Sequence, residues 1–347
     1  MTIFDYVKKY NYTFEEAPFN EVDNVIFSTL AYVDFNGILK NKMTIKDLAN
    51  DYFLMHPKIK KGEIIAVKVG IKLLKEVMNS KRFKDIYAYN YHYESDEKSQ
   101  YGAITFDLGD TLYIAYEGTD ALISGWEEDF AMVYKFPVSA HKKATKYLNK
   151  YLFTNKKLII GGHSKGGNLA LVSSMMTNFI IRSKIINIYS NDGQGLRLKE
   201  INSRRYKKIS NKYIHLIPHN SIVGLLLRHE NDYIIKSNAM TLFSHATSTW
   251  KIDKNKFIKS ELNNSSKTFD KAMIKWLTQY DDMKRREIVK NIFDVMRVNN
   301  ITSLVQIKSN PKEIIKIMKS SNIITDSTRE MLNDLIAIIN KVSKETV

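Results

Sequence analysis

The chain has 347 residues and no cysteine, which excludes thiol catalysis, disulfide staples and thiolate metal sites. Hydrophobic residues make up 44% and the mean hydropathy is -0.31, the balance of a folded globular protein, long enough for a large α/β core with an appended piece. The net charge of +16 has three readings: a Lys-, Asn- and Ile-rich usage throughout, an anionic membrane surface or phospholipid partner, or nucleic acid, which is disfavoured because no helix-turn-helix, zinc finger or aromatic-interleaved basic strand focuses the charge.

The first 19 residues hold no apolar segment of leader type and are already acidic by Glu15. No stretch reaches the roughly 18 apolar residues of a spanning helix, so the expected location is cytoplasmic, peripheral at a membrane, or exported by a route other than Sec. Val25, Ile26, Leu30 and Val33 share a helical face, with Asp23 as the expected N-cap. Ile64, Ile65, Val69, Leu73, Leu74 and Val77 predict a second helix over 63–78. Residues 101–106 and 111–116 flank the turn 107–110 and predict a β-hairpin. Glu127, Glu128 and Asp129 then read as a solvated helix N-terminus rather than an acid–base pair, and 140–153 as an amphipathic helix.

Residues 157–160 form a short β-rich run, and from Gly166 onward Leu169, Val172, Met176 and Phe179 recur at helical spacing. Between them Gly162, His163, Ser164, Lys165 and Gly166 satisfy G-x-S-x-G, a strand-to-helix nucleophile elbow. The chemistry needs that spacing because the serine must stand on a sharp turn, with glycines letting strand and helix backbones approach. Ser164 is then the nucleophile, and the Lys165 backbone N–H faces the oxyanion. Strand-like runs at 185–189, 213–218 and 233–236 alternate with helical stretches. The pattern predicts an α/β fold with a mostly parallel central sheet and helices on both faces. Beyond Asp253 basic residues outnumber acidic ones and the spacing turns helical, with Ser327 and Glu330 as a capping box for the last helix. The expected division is a domain over 1–252 and a basic helical region over 253–347.

GGHSKGGNLA resembles the elbow of class 3 (fungal-type) lipases and, more closely, of a bacterial group of lipase-like α/β-hydrolases. IAYEGTDALISGWEEDF, at 114–130, is similar to the segment where such lipases carry R-G-[ST] followed by a Trp and an acidic residue; Glu117 replaces the Arg. Taking 20–252 as similar, the resemblance implies an α/β-hydrolase fold and makes Thr119 a contributor to the oxyanion hole.

A serine nucleophile needs an imidazole held by a third group, and this fold places the acid and then the base after the serine in the chain. His215 lies inside a strand run and reads as structural, leaving His219, His229 and His245. The resemblance favours His245, shortly before Trp250. It also aligns Asn220, Ser221, Ile222 and Val223 with the segment carrying the acid, but puts Ser221 where the Asp should be. Asp192, in the YSNDGQG turn, is therefore the leading acid, with Ser221 as a neutral orienting group and Asp232 as the weaker alternatives.

The expectation is a serine hydrolase acting on carboxylic esters, with an ester or lipid substrate, an anionic membrane surface as a partner, and no metal or cofactor implied. The alternative is a hydrolase-fold scaffold with weakened catalysis that binds a partner or a membrane surface.

Overall fold

In the computed structural model, which describes residues 1–58, 64–96, 99–119, 123–303, 316–317 and 320–345, eight strands lie side by side in the order in which the chain makes them. They are β1 (Met43–Thr44), β2 (Tyr87–Asp96), β3 (Ser99–Asp107), β4 (Thr111–Tyr116), β5 (Lys157–His163), β6 (Ile185–Asn191), β7 (Tyr213–Pro218) and β8 (Asp232–Ile235). The first four pair antiparallel, and β4 through β8 run parallel. This is an α/β-hydrolase type of architecture with a mainly parallel sheet.

Helix placement follows from the handedness of crossovers. Parallel strands must be joined across the sheet, such joins are right-handed, and here every step goes the same way, so the crossover helices fall on one face. There α6 (Ser139–Asn149) packs on β3 and on α7 (Lys165–Met176), and α7 lies over β4, β5 and β6. The opposite face is covered from the N-terminus: α2 (Glu21–Leu30) lies on β4, β5 and β6, and α4 (Ile65–Val77) packs on α2. The strands alternate accordingly. Tyr113, Ala115 and Ile159 join the cluster under α2, whereas Leu112, Ile114, Leu158 and Ile160 join the cluster under α6 and α7.

Asp23, expected to cap α2, is three residues into its capping box. Asn20 Oδ1 accepts from Val22 N at 2.9 Å, and Asn20 N donates to Asp23 Oδ2 at 2.9 Å. The Asp23 carboxylate is held deeper by a fully buried ion pair, with Arg82 Nη2 at 2.6 Å and the Tyr6 hydroxyl at 3.0 Å. Among the elements absent from the sequence reading are α1 (Ile3–Lys9), α3 (Ile45–Met55), α8 (Phe179–Lys184), α9 (Leu198–Ile201), α10 (Arg204–Lys207), β1 and β2.

Beyond β8, a hairpin of β9 (Ile252–Asp253) and β10 (Lys256–Phe257) precedes α11 (Asn264–Gln279), α12 (Asp282–Val298) and α13 (Asp326–Glu345), so strand structure continues slightly past 252. The cap of α13 is Thr325, whose Oγ1 accepts from Thr328 N at 3.1 Å; Ser327, the expected cap, instead donates to Glu287 of α12. Trp276, Phe293 and Met331 form a cluster with Trp126, Val133 and Tyr134, which brings the C-terminal helices against α5 (Ile123–Ala131) and the turn that follows it. Among the described residues no helix is long and apolar enough to cross a membrane.

Candidate active site

Strand β5 ends at His163 and helix α7 begins at Lys165, so Ser164 alone makes the corner, at φ 58° and ψ -132°. A non-glycine residue holds such a backbone only where its surroundings over-determine it. A Cβ on Gly162 would come within 2.2 Å of the Gly166 backbone, and one on Gly166 within 2.2 Å of the Tyr116 carbonyl oxygen, so glycine at both positions lets the strand and helix cross. The Lys165 N–H lies in the first turn of α7, where amides lack an intrahelical acceptor and the helix dipole favours negative charge.

The corner is tied to the end of β6: Ser164 N donates to Asn191 O at 3.0 Å. The next residue, Asp192, is fully buried with φ 51°, and its Oδ2 lies 2.6 Å from Nδ1 of His245. His245 ends a 3-10 helix, Thr241–His245, and keeps about a quarter of its side chain exposed. The second Asp192 oxygen accepts from Ser221 Oγ at 2.5 Å and from Gly224 N at 3.1 Å. Ser221 thus meets the carboxylate, not the imidazole, which corrects its reading as a group orienting His245 directly. Asp232 lies in another cluster, bonded to His215 and His229, and so is removed as the acid. His219 has its ring nitrogens beside Ser237 N and Asn220 Nδ2.

Two parts of the site were not foreseen. His163, within the elbow motif, places its ring 4.3 Å from that of His245, centroid to centroid, and its Nε2 lies 2.7 Å from the His245 carbonyl oxygen. That carbonyl assigns the proton to Nε2, so Nδ1 accepts from the Tyr32 hydroxyl at 2.9 Å. Burial, and then the neighbouring His245, push the His163 pKa down to about 3, so its ring is neutral. The second part lies around Lys165, the residue after Ser164. Lys165 Nζ is fully buried, 2.7 Å from Glu128 Oε2, 3.6 Å from Asp129 Oδ1 and 3.0 Å from the Gln100 carbonyl. The acidic stretch of α5 is therefore not a solvated helix end. Burial raises the Asp129 carboxyl to about 6, opposed chiefly by Lys165. The Thr119 hydroxyl donates to Asp129, and a hydroxyl has one proton, so the side chain expected to contribute to an oxyanion hole has its proton engaged elsewhere. The side-chain clue to both parts was the unusual pair His163 and Lys165 flanking the serine, whose partners lie far away in sequence.

A sharp serine corner at the end of a parallel strand, with an Asp–His pair at the neighbouring strand end, defines the class: a lipase-like α/β-hydrolase. The family model described as Mbeg1-like matches residues 77–294, more than half of the chain, and the protein belongs to this lipase-like family. No curated protein and no solved structure matches the chain.

Proposed function

We propose that the protein is a serine hydrolase of lipase or esterase type, cleaving carboxylic esters through an acyl-enzyme. The observation that carries this reading is the 2.6 Å contact between the buried Asp192 carboxylate and Nδ1 of His245, at the strand end adjoining the Ser164 corner. With Nδ1–H held by Asp192, the lone pair of His245 Nε2 is free to take the Ser164 proton as Oγ attacks the ester carbonyl. The Lys165 and Thr119 backbone N–H groups then hold the developing oxyanion. The imidazolium returns its proton to the departing alcohol, and water, activated by the same imidazole, releases the acid. The resemblance to class 3 lipases belongs to this reading.

The substrate class follows from what surrounds the base. Met240 and Phe243, in the segment that ends at His245, are largely exposed. Exposed apolar side chains beside a catalytic base suit an acyl chain at an interface, and the net charge of +16 suits an anionic one, so a phospholipid or other lipid ester is the favoured substrate. The scaffold reading drew on Ser221 standing in the acid's place. With Asp192 against His245 that argument loses its basis.

The test is active-site labelling. A fluorophosphonate probe should modify Ser164, and Ser164→Ala should abolish both the labelling and the hydrolysis of short p-nitrophenyl esters. Folded wild-type protein that shows neither would return the scaffold reading.

A further inference from the structure

We propose that His215, His229 and Asp232 bind one divalent transition-metal ion of the zinc class. His215 comes from β7, Asp232 opens β8, and His229 lies in the connection between them. One ligand atom from each lies within 4.8 Å of the others. His215 Nδ1 is 3.0 Å from Asp232 Oδ1, and His229 Nδ1 is 2.6 Å from Asp232 Oδ2. Two imidazole nitrogens and a carboxylate are a donor set that zinc takes readily, at bond lengths of about 2.0–2.2 Å. Tetrahedral coordination at these bond lengths sets ligand atoms about 3.4 Å apart, so the two nitrogen–oxygen contacts must open and the two nitrogens close by a few tenths of an ångström or more. His229 and Asp232 can supply this, since the Asp232 side chain is about a quarter exposed and so is reachable from solvent.

The outer nitrogens distinguish this cluster from an ordinary hydrogen-bonded group. His215 Nε2 lies 2.9 Å from the Gly193 carbonyl oxygen, and His229 Nε2 lies 3.3 Å from Asp270 Oδ1. Metal-bound histidines characteristically donate their other N–H to a backbone carbonyl or a carboxylate, which fixes the tautomer and aims the bare nitrogen at the ion. Here both rings are set that way, and both bare nitrogens face the same carboxylate. Without a cation, a neutral His229 would point a lone pair at a carboxylate whichever nitrogen bears the proton, and a neutral His215 would point one at Asp232 or at the Gly193 carbonyl. Without an ion, protons must fill these contacts instead, either as two imidazolium rings, 5.9 Å apart between centroids, sharing Asp232, or as one imidazolium with the other ring accepting from a protonated carboxyl.

The position suggests a structural ion. Gly193 follows Asp192, so His215 braces the turn that carries the triad acid, while Asp270, on α11, connects the cluster to the C-terminal helices. The ion would hold three chain segments together behind the site without touching substrate.

The test uses the full chain without a polyhistidine tag, stripped with a chelator, then titrated with zinc chloride by calorimetry and assayed for metal after gel filtration. The expected result is one zinc per chain and a melting temperature that rises with zinc concentration. Asp270→Asn should weaken binding by about 10–100-fold while keeping the stoichiometry, as loss of an outer partner does. His229→Gln and Asp232→Asn should each weaken it more, with circular dichroism showing that the variants remain folded. Cobalt(II) in place of zinc should give the visible absorption of a nitrogen- and oxygen-ligated ion. Folded wild type that takes up no stoichiometric zinc, or zinc binding indifferent to both ligand substitutions, overturns the proposal in favour of contacts filled by protons. Labelling of Ser164 is read separately, so failure of either proposal leaves the other standing.

Discussion

At the scale of single residues, the division of labour around Asp192 gives an ordered prediction. Its Oδ2 meets His245, and its Oδ1 takes Ser221 Oγ and Gly224 N. Asp192→Asn should lower kcat on the order of 10⁴-fold, because the imidazole loses both its tautomer and the support for its charge. Ser221→Ala removes one neutral bond to the carboxylate and should cost about tenfold or less. Steady-state kinetics on a p-nitrophenyl ester gives the order, and a larger loss in Ser221→Ala would move the orienting role to the serine. The sequence singled out Asp192 as the acidic residue at the end of the strand that follows α7, and in the structure it directly follows β6 and meets His245. The bond of Ser221 to it was not legible, since 29 positions separate them and nothing in the local pattern says which oxygen a hydroxyl will reach.

At the scale of elements, α5 and α7 are locked by a buried charge group. Lys165 lies between Glu128 and Asp129, and Glu128 Oε1 also accepts from Ala140 N at the start of α6. Lys165→Met keeps the backbone N–H and roughly the shape but strands two carboxylates in the interior, so urea unfolding should show a loss of about 3–5 kcal/mol. Adding Glu128→Gln should recover part of it; a double mutant no more stable than the single would deny the coupling. Most elements were readable because periodicity and turn residues agree: the hairpin of β3 and β4, the corner, and α4 fall within a few residues of their expected limits. Strand β2 escaped even though Tyr87, Tyr89, Tyr91 and Tyr93 alternate, because its register with β3 shifts between Tyr89 and His92, with Asn90 at φ 53°, and its outer face is largely polar. The charges of α5 misled for a different reason: carboxylates near a helix start are usually solvated, and the cation that buries these lies in the next crossover helix.

For the whole molecule, buried imidazoles set part of the pH dependence of stability. His163 is pushed down from 6.5 to about 3 and His141 to about 4, in both cases first by burial. The unfolded chain gains these protons near 6.5 while the folded one refuses them, so the stability they contribute is complete above that pH and is lost as the pH falls toward 3 to 4. Each group adds a slope of about 1.4 kcal/mol per pH unit within its window. Asp129, held up at about 6, acts in the opposite direction between 3.8 and 6, because there the folded chain holds the extra proton. That term is common to wild type and His163→Gln and cancels in their difference. Unfolding free energies from urea titrations between pH 6 and 4.5 should therefore fall less steeply in His163→Gln, by about 1.4 kcal/mol per pH unit; equal slopes would mean that His163 titrates normally. The sheet itself carries a last consequence. Because its spatial order repeats the chain order, each strand can pair with one already made as synthesis proceeds, and α2 waits only for the strands through β6. The 3-10 helix that carries His245 comes after β8. The Ser164 corner is thus in place well before His245 arrives, so on the proposed assignment a nascent chain would stay chemically silent until nearly the whole core has left the ribosome.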